Sequence, residues 1–421
     1  MRLGRRGVRP ARQLRARCQH QRLQARGRRH AGARRDLGGR LTGSRPAPRL
    51  VGIDLARCLA LLGMIATHVL DERTETGSLA LGQAVAGGRA SALFAVLAGV
   101  SLALMARRRP VVPGLVVRAL LIAAVGLALG ELDSGLAIIL TYYGLLFLLA
   151  IPFLGLSAPA LLVLAAAWVV VAPVVSHVVR PDLPGRGFES PSLSQLGDPS
   201  ALLSELAFTG YYPVVPWLAY ALVGLALGRL DLSGRRVPAV LLGVGASLAV
   251  VATAVSRWLT SLPSVAEALV ADPPAGRQTI EELLDAISTG MAGTTPTGGT
   301  WQWLLVVAPH SATPFDLVQT IGSAVAVIGA SLLLVASVGE LGERFLAVLF
   351  GAGTMTLTLY SLHVVLRTEG VLPTELADSY LFHVVVVLGI GMVVAGLGRQ
   401  GPLERVVGLA VRAANGRRLG A

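Results

Sequence analysis

The sequence predicts an all-α fold: a polytopic integral membrane helix bundle of about ten transmembrane helices, with both termini in the cytoplasm. Three observations support this prediction. Apolar residues make up 53% of the 421 residues and charged residues only 14%, a balance typical of chains built mainly of membrane spans. Apolar runs of about 20 residues recur along the chain. Arginines concentrate in alternate loops, which sets an orientation.

The predicted spans follow from length, because about 20 mainly apolar residues are needed to cross a bilayer. This criterion selects ten segments: Leu50–Leu70, Ala90–Ala106, Pro113–Gly130, Gly135–Leu154, Ala158–Val178, Tyr211–Gly228, Val237–Leu259, Pro314–Val338, Phe345–Leu366 and Ser379–Gly398. Arginine-rich loops at 106–110 and 228–236 are then cytoplasmic, and acidic segments at 71–75 and 131–133 are outside.

Residues 1–48 precede the spans and are expected to form a disordered arginine-rich tail. Sixteen arginines and one acid, Asp36, lie before Val51, so the net charge of +13 comes from this tail. A start codon placed too far upstream is a second interpretation, supported by the absence of lysine from the chain. An arm that binds nucleic acid or anionic lipid is a third. The first two interpretations are preferred, and we therefore expect no nucleic-acid partner.

The transmembrane domain is expected over residues 49–400. It contains two long outer loops, 179–210 and 260–313, and loops of this length are functional or disordered more often than simple connections. The second loop contains "TIEELLDAIS", which predicts a short helix. Residues 401–421 are expected to form an interfacial helix and tail, because Pro402 can start a helix and arginines recur along it.

The first span, "DLARCLALLGMIATHV", carries three polar residues that are expensive inside a membrane. Arg57 and His68 are eleven residues apart, which places them on one helix face about 16 Å apart along the axis. Asp54 lies three residues before Arg57, within reach of an ion pair. The structural alternative is that Asp54 and Arg57 mark the inner interface and His68 the outer one.

Histidines favour a functional interpretation of the outer side. A histidine with a pKa near neutrality can accept or donate a proton, and Asp316 could orient one of these rings. Most of them can equally be ordinary boundary residues, so only one or two are expected to be catalytic. Five histidines fall beside the outer ends of predicted spans: His68, His177, His310, His363 and His383.

Several chemistries have no support in the sequence. No GxxxxGK[ST] phosphate loop, GxGxxG turn or GxSxG elbow occurs, so nucleotide and serine-hydrolase chemistry are not indicated. Cys18 and Cys58 are the only cysteines, and no histidine pair has metal-binding helical spacing. We therefore expect no metal. Glycines in "GLALG" and "GIGMVVAGLG" are interpreted as sites of close helix packing.

Five stretches together resemble a known family: "RLVGIDLARCLALLGMIATHVL", "GRASALFAVLAGVSLAL", "TYYGLLFLLAIPFL", "YYPVVPWLAYALVGLALGRLDL" and "PHSATPFDLVQTIGSAVAVIG". The resemblance is to bacterial membrane proteins with a heparan-alpha-glucosaminide N-acetyltransferase catalytic-like domain, within the transmembrane acyltransferase superfamily. A neighbouring bacterial group has a related C-terminal part, similar to "TLTLYSLHVV" here. The first helix also resembles related acyltransferase-3 proteins, in which an arginine and a histidine are separated by ten residues.

The resemblance implies an enzyme of the plasma membrane that moves an acyl group, with acetyl favoured, from cytoplasmic acetyl-CoA or another acyl-CoA. The acceptor would be an amine or hydroxyl of an envelope glycan or lipid-linked sugar on the outer side. His68 would be the general base or a transient acyl carrier, with His310 and Asp316 as further catalytic candidates. Arg57, with Asp54 beside it, and Arg89 would bind the acyl-CoA donor. A homodimer is left open.

Two other functions remain as hypotheses from the sequence. A multi-span transporter or lipid flippase would use Asp54, Arg57 and the outer histidines as a substrate or proton path. A partner or assembly protein without chemistry is the third. Inverted internal repeats would favour a transporter, and none is evident in the sequence.

Overall fold

The computed structural model describes residues 50–106, 112–187, 190–272 and 278–416. Across these ranges the chain is helical and contains no β-strand, which confirms the predicted all-α class. The tail predicted over residues 1–48 lies outside the described residues.

The described residues form seventeen α-helices. In chain order they are α1 Val51–Val69, α2 Leu81–Ala86, α3 Arg89–Ala106, α4 Val112–Leu129, α5 Leu140–Ala150, α6 Ala158–Val179, α7 Pro199–Ser204, α8 Val214–Leu227, α9 Arg236–Thr260, α10 Pro263–Ala271, α11 Ile280–Ala286, α12 Pro314–Ser337, α13 Glu340–Leu349, α14 Thr356–Arg367, α15 Thr374–Ala377, α16 Tyr380–Gly396 and α17 Pro402–Ala414.

Six stretches of the described chain are long and apolar enough to cross a membrane: Val51–Val69, Leu81–Ala106, Val112–Leu129, Ala158–Asp182, Arg236–Thr260 and Pro314–Ser337. A seventh is formed if Pro199–Thr209 and Val214–Leu227, which meet at a bend of 55°, count as one broken span. Leu140–Gly155 and Tyr380–Gly396 are shorter apolar helices. The protein is therefore a multi-pass membrane protein, and a total of ten spans stays a prediction.

One predicted span is wrong as a continuous helix. The segment expected to run from Phe345 to Leu366 breaks after α13, passes through the short turn Gly351–Thr354, and resumes as α14. The break follows from close packing against α1. A Cβ added to Gly353 would lie only 1.8 Å from the carbonyl oxygen of Asp54, so the chain passes α1 at a distance that only glycine allows.

The bundle core forms where the helices cross closely. α3 packs on α8, and α9 packs along α12. At the first crossing, a Cβ on Gly224 would lie 2.0 Å from the carbonyl oxygen of Val96. The interpretation of this "GLALG" glycine as a packing site is therefore confirmed. On the outside of the bundle, α6 and α9 expose residues such as Val163 and Val250, as helices that face lipid do.

The second long loop contains short helices of its own. α10, α11 and the turn Trp301–Leu305 enclose a small apolar cluster of their own, centred on Trp303. The short helix predicted from "TIEELLDAIS" is confirmed as α11. The predicted C-terminal helix is confirmed as α17, which starts at Pro402 and packs against α4.

Candidate functional site

A cavity of about 690 Å³ lies at the end of the bundle that contains His68. It is surrounded by the C-terminal end of α1, by Gln83 of α2 with the Gly87 that follows this helix, by the 130–138 loop, by Arg186, and by the segments 190–192 and 205–212. Its lining is rich in groups that hydrogen-bond or stack: Glu72, Glu131, Asp133 and Glu205 as acids, Arg186 as a cation, Tyr142, Tyr211 and Tyr212 as aromatic rings, and His68 and His310.

His68 is half-buried and lines this cavity. Its Nδ1 lies 3.1 Å from Nε2 of His363 on α14, and the two rings stack with centroids 5.3 Å apart and planes 7° apart. His363 Nδ1 in turn lies 3.2 Å from Nδ1 of His383 on α16. His383 Nε2 lies 2.9 Å from the carbonyl oxygen of Ala377. We refer to His68, His363 and His383 as the histidine chain.

His310 reaches the cavity from a distorted loop before α12. Its φ of 56° and the φ of 52° at Ala312 both lie in the left-handed region, which non-glycine residues rarely adopt. The ring packs against Tyr211 and Tyr212, with centroid distances of 4.8 and 5.6 Å, and its Nδ1 is buried without a hydrogen-bond partner. Burial, and secondly the neighbouring His68, lowers the pKa of His310 to about 4, so the ring is neutral at physiological pH.

Asp316 lies outside the lining of the cavity, at the first turn of α12. Its Oδ2 accepts a hydrogen bond of 3.0 Å from the backbone N–H of Ala312, and its own N–H donates to Oγ1 of Thr313 at 3.1 Å. These described contacts of Asp316 do not include a histidine ring, so a role in orienting one stays a prediction. Asp316 holds the backbone two residues after His310.

Glu205 forms a polar group with two other residues on the wall of the cavity. It lies in a short π-helical segment, Glu205–Thr209, and it is 4% exposed. Tyr142 donates its hydroxyl proton to Oε1 of Glu205 at 3.3 Å, and Gln195 donates to Oε2 at 3.2 Å. Sequence reasoning missed this group, although a glutamate inside the apolar run "LLSELAF" is itself an unusual and visible signal.

The other end of α1 carries the predicted ion pair. Arg57 Nη1 donates to Oδ1 of Asp54 at 2.7 Å, and Arg57 Nη2 donates to the hydroxyl of Ser101 at 2.9 Å. The charge of Arg118 on α4 is close enough to interact with that of Arg57, and Nε of Arg118 is buried without a hydrogen-bond partner. Arg57 and Asp54 do not line the His68 cavity.

Arg89 also lies apart from His68. It lines a second cavity of about 290 Å³, and its Nη1 donates to the carbonyl oxygen of Ala84 at 2.7 Å. The two cavities share Gln83 and Gly87 in their walls, so they are neighbours.

The structure thus brings together four of the five histidines that the sequence placed on one side. His68, His363 and His383 form the chain, and His310 lies near His68 across the cavity. His177 lies elsewhere, near Arg180. No group of three or more His, Cys, Asp and Glu side chains that could hold a metal ion occurs among the described residues.

Comparison with known families gives one match. The family described as heparan-alpha-glucosaminide N-acetyltransferase, catalytic, matches residues 49–262, which is half of the chain. A comparison with curated proteins found no match.

Proposed function

The chain belongs to the heparan-alpha-glucosaminide N-acetyltransferase catalytic family, and from this premise we propose that it transfers an acetyl group from acetyl-CoA to an amine or hydroxyl of a sugar. The observation that carries the proposal is the polar cavity at the His68 end. Its acids and tyrosines are the groups that bind sugars by hydrogen bonds and ring stacking, and a histidine base stands in its wall.

In the proposed reaction His68 acts as general base. Its Nε2 takes the proton of the acceptor N–H or O–H while the acceptor atom attacks the thioester carbonyl carbon. The new C–N or C–O bond forms, the C–S bond breaks, and the sulfur leaves as a thiol after His68 returns the proton to it. His310, held neutral by burial, donates a ring N–H to the carbonyl oxygen as negative charge develops there.

We propose that the donor binds at the Arg57 end of α1. Arg57 and Arg118 are two neighbouring cations, and the unpartnered Nε of Arg118 is suited to a phosphate oxygen. The thioester would then reach His68 along α1, across the 16 Å that eleven helical residues span. Arg89 lines the adjacent cavity and would contact the acceptor rather than the donor.

For the membrane topology, we propose ten spans with both termini in the cytoplasm of a bacterial cell and the cavity opening outside the plasma membrane. The bent pair, the two shorter apolar helices and the broken pair α13–α14 bring the number of crossings to ten. This alternation is supported by the cavity, because every segment that lines it falls in a region assigned to the outer side.

The test is incubation of purified protein with radiolabelled acetyl-CoA and an envelope extract, followed by identification of the labelled product. We expect His68→Ala to lower transfer by a factor of about 10² to 10⁴, the usual loss when a general base is removed. His177→Ala is the matched control, since His177 lies away from the cavity, and it should retain activity. Full transfer by His68→Ala would show that His68 is not the general base, and no labelled product from the unsubstituted protein would favour the transporter hypothesis.

A further inference from the structure

We propose that His363 and His383 are positioning residues that fix the single proton of His68 on Nδ1, so that Nε2 of His68 is always presented to the cavity as a base. The proposal deepens the proposed function and rests on it for its catalytic consequence. The proton positions themselves follow from the geometry of the histidine chain and can be measured without any activity.

The far end of the histidine chain determines the direction of its hydrogen bonds. The carbonyl oxygen of Ala377 can only accept, so Nε2 of His383 must carry a proton. The same carbonyl oxygen accepts a second hydrogen bond of 3.0 Å from Nη1 of Arg367. A neutral imidazole has one N–H, and therefore Nδ1 of His383 is a lone-pair acceptor.

Each proton position then determines the next one. Because Nδ1 of His383 accepts, Nδ1 of His363 must donate, which leaves Nε2 of His363 without a proton. Nδ1 of His68 must therefore donate to Nε2 of His363. Three neutral rings and three hydrogen bonds permit only this arrangement, and it leaves the lone pair on Nε2 of His68.

The surroundings of the histidine chain favour neutral rings. His363 and His383 are fully buried, and a charged imidazole loses its hydration when it is buried. The nearest cation at the end of the chain, Arg367, forms an ion pair with Asp378 and shares the Ala377 carbonyl with His383. A second proton on either buried ring would place a positive charge near the Arg367 guanidinium.

The arrangement also explains how His68 can hold a proton briefly. When Nε2 of His68 takes the acceptor proton, the hydrogen bond from Nδ1–H of His68 to Nε2 of His363 stabilises the resulting imidazolium. The positive charge stays on His68, because the two buried rings disfavour it. His68 becomes neutral again when it gives the proton to the departing sulfur.

The first measurement is ¹⁵N NMR of histidine-labelled protein in nanodiscs, with His68 assigned by comparison with His68→Gln. The chain has seven histidines, so the spectrum is small. We expect a protonated Nδ1 and an unprotonated Nε2 for His68 in the substrate-free protein. In His363→Phe, which removes the acceptor, this preference should be lost. A proton on Nε2 of His68 in the unsubstituted protein would overturn the proposal.

The second measurement separates positioning from packing. His363→Phe should lower kcat about 10- to 100-fold, a usual range for loss of an orienting partner, with little change in the acceptor KM. His363→Gln is the matched control, because its amide oxygen can accept from His68, and it should recover most of the lost kcat. Equal losses in the two variants would contradict the proposal. If His363→Phe does not fold, His383→Phe and His383→Asn form the equivalent pair.

The two levels of the proposal fail differently. If His68 has the expected tautomer but the unsubstituted protein transfers no acetyl group, the proposed function is wrong and the positioning role of the histidine chain stands. If acetyl transfer is found but His68 carries its proton on Nε2, the positioning role is wrong and the proposed function stands.

Discussion

His310 and Ala312 have left-handed φ angles of 56° and 52°, and each such non-glycine residue costs on the order of 1–3 kcal/mol unless its surroundings hold it. Asp316 supplies part of the compensation through its hydrogen bond from the Ala312 N–H. A second tie is the hydrogen bond of 2.9 Å from the Gly293 N–H to the His310 carbonyl oxygen. The strained backbone therefore places His310 in the wall of the cavity. Such strain is typical of residues at functional sites.

The first residue-scale prediction tests the hydrogen bond between the Ala312 N–H and Asp316. Asp316→Ala leaves the buried N–H of Ala312 without its acceptor, and we expect a loss of about 1–3 kcal/mol in the free energy of unfolding. Turnover should fall as well, because the His310 loop can relax. Asp316→Asn keeps an oxygen acceptor and is the matched control. Thermal unfolding and acetyl transfer are measured on both variants. Equal stability and equal turnover of the two variants would contradict the role assigned to Asp316.

A second residue-scale prediction concerns acid. The pKa of His310 is lowered to about 4 by burial, whereas an unfolded histidine has a pKa of about 6.5. Between these values the unfolded state binds more protons than the folded state, so the contribution of His310 to stability falls as pH drops from 6.5 toward 4. His310→Gln should show a shallower decrease in Tm over that range. An unchanged slope would show that His310 does not contribute to it.

Contacts between residues that are far apart in the sequence could not be predicted from the sequence alone. The Asp54–Arg57 ion pair was predictable because its partners are one helical turn apart. His68 and His363 are 295 residues apart, and their contact depends on how α14 packs against α1. Spacing along the chain carries no information about that packing, so the histidine chain could not be predicted, although each of its members was singled out.

At the scale of the helices, composition predicted where apolar segments occur but not where they break. The broken pair α13–α14 reads as one apolar run, and its interruption is set by the approach of Gly353 to the backbone of α1. The bend between Thr209 and Val214 is similar, because the Glu205–Thr209 π-helical segment turns toward the cavity. Both interruptions lie at tertiary contacts, which a hydropathy pattern does not record.

The element-scale prediction follows from the first of these breaks. Gly353→Ala would place a methyl group 1.8 Å from the Asp54 carbonyl oxygen, and relieving that overlap should cost about 1–3 kcal/mol. Gly389→Ala on α16 is the matched control, because nothing lies within 4 Å of the added Cβ. We expect Gly353→Ala to lower the Tm and Gly389→Ala to leave it nearly unchanged. Equal Tm values would show that α1 moves aside freely.

At the scale of the whole molecule, the all-helical membrane class followed from composition and the family from its motifs. The cavity did not, because its walls come from loops between many different helices, from α1 to the segment before α12. The cavity groups these loops at one end of the bundle. Which end faces the cytoplasm is predicted from arginine placement alone.

The whole-molecule prediction tests this orientation by cysteine labelling of intact cells, in a background where Cys18 is replaced by serine. Ser200 and Ser233 are both exposed in the structure and lie on connections assigned to opposite sides. Ser200→Cys should react with an impermeant thiol reagent, because Ser192 and Glu205 on either side of it line the cavity and their loop is assigned to the outside. Ser233→Cys lies beside the arginine pair at 235–236 and should react only after the membrane is opened. Cys58 is buried, so it should add no background signal. If only Ser233→Cys is labelled in intact cells, the orientation is the opposite of the one proposed, and the acceptor reaches His68 from the cytoplasmic side.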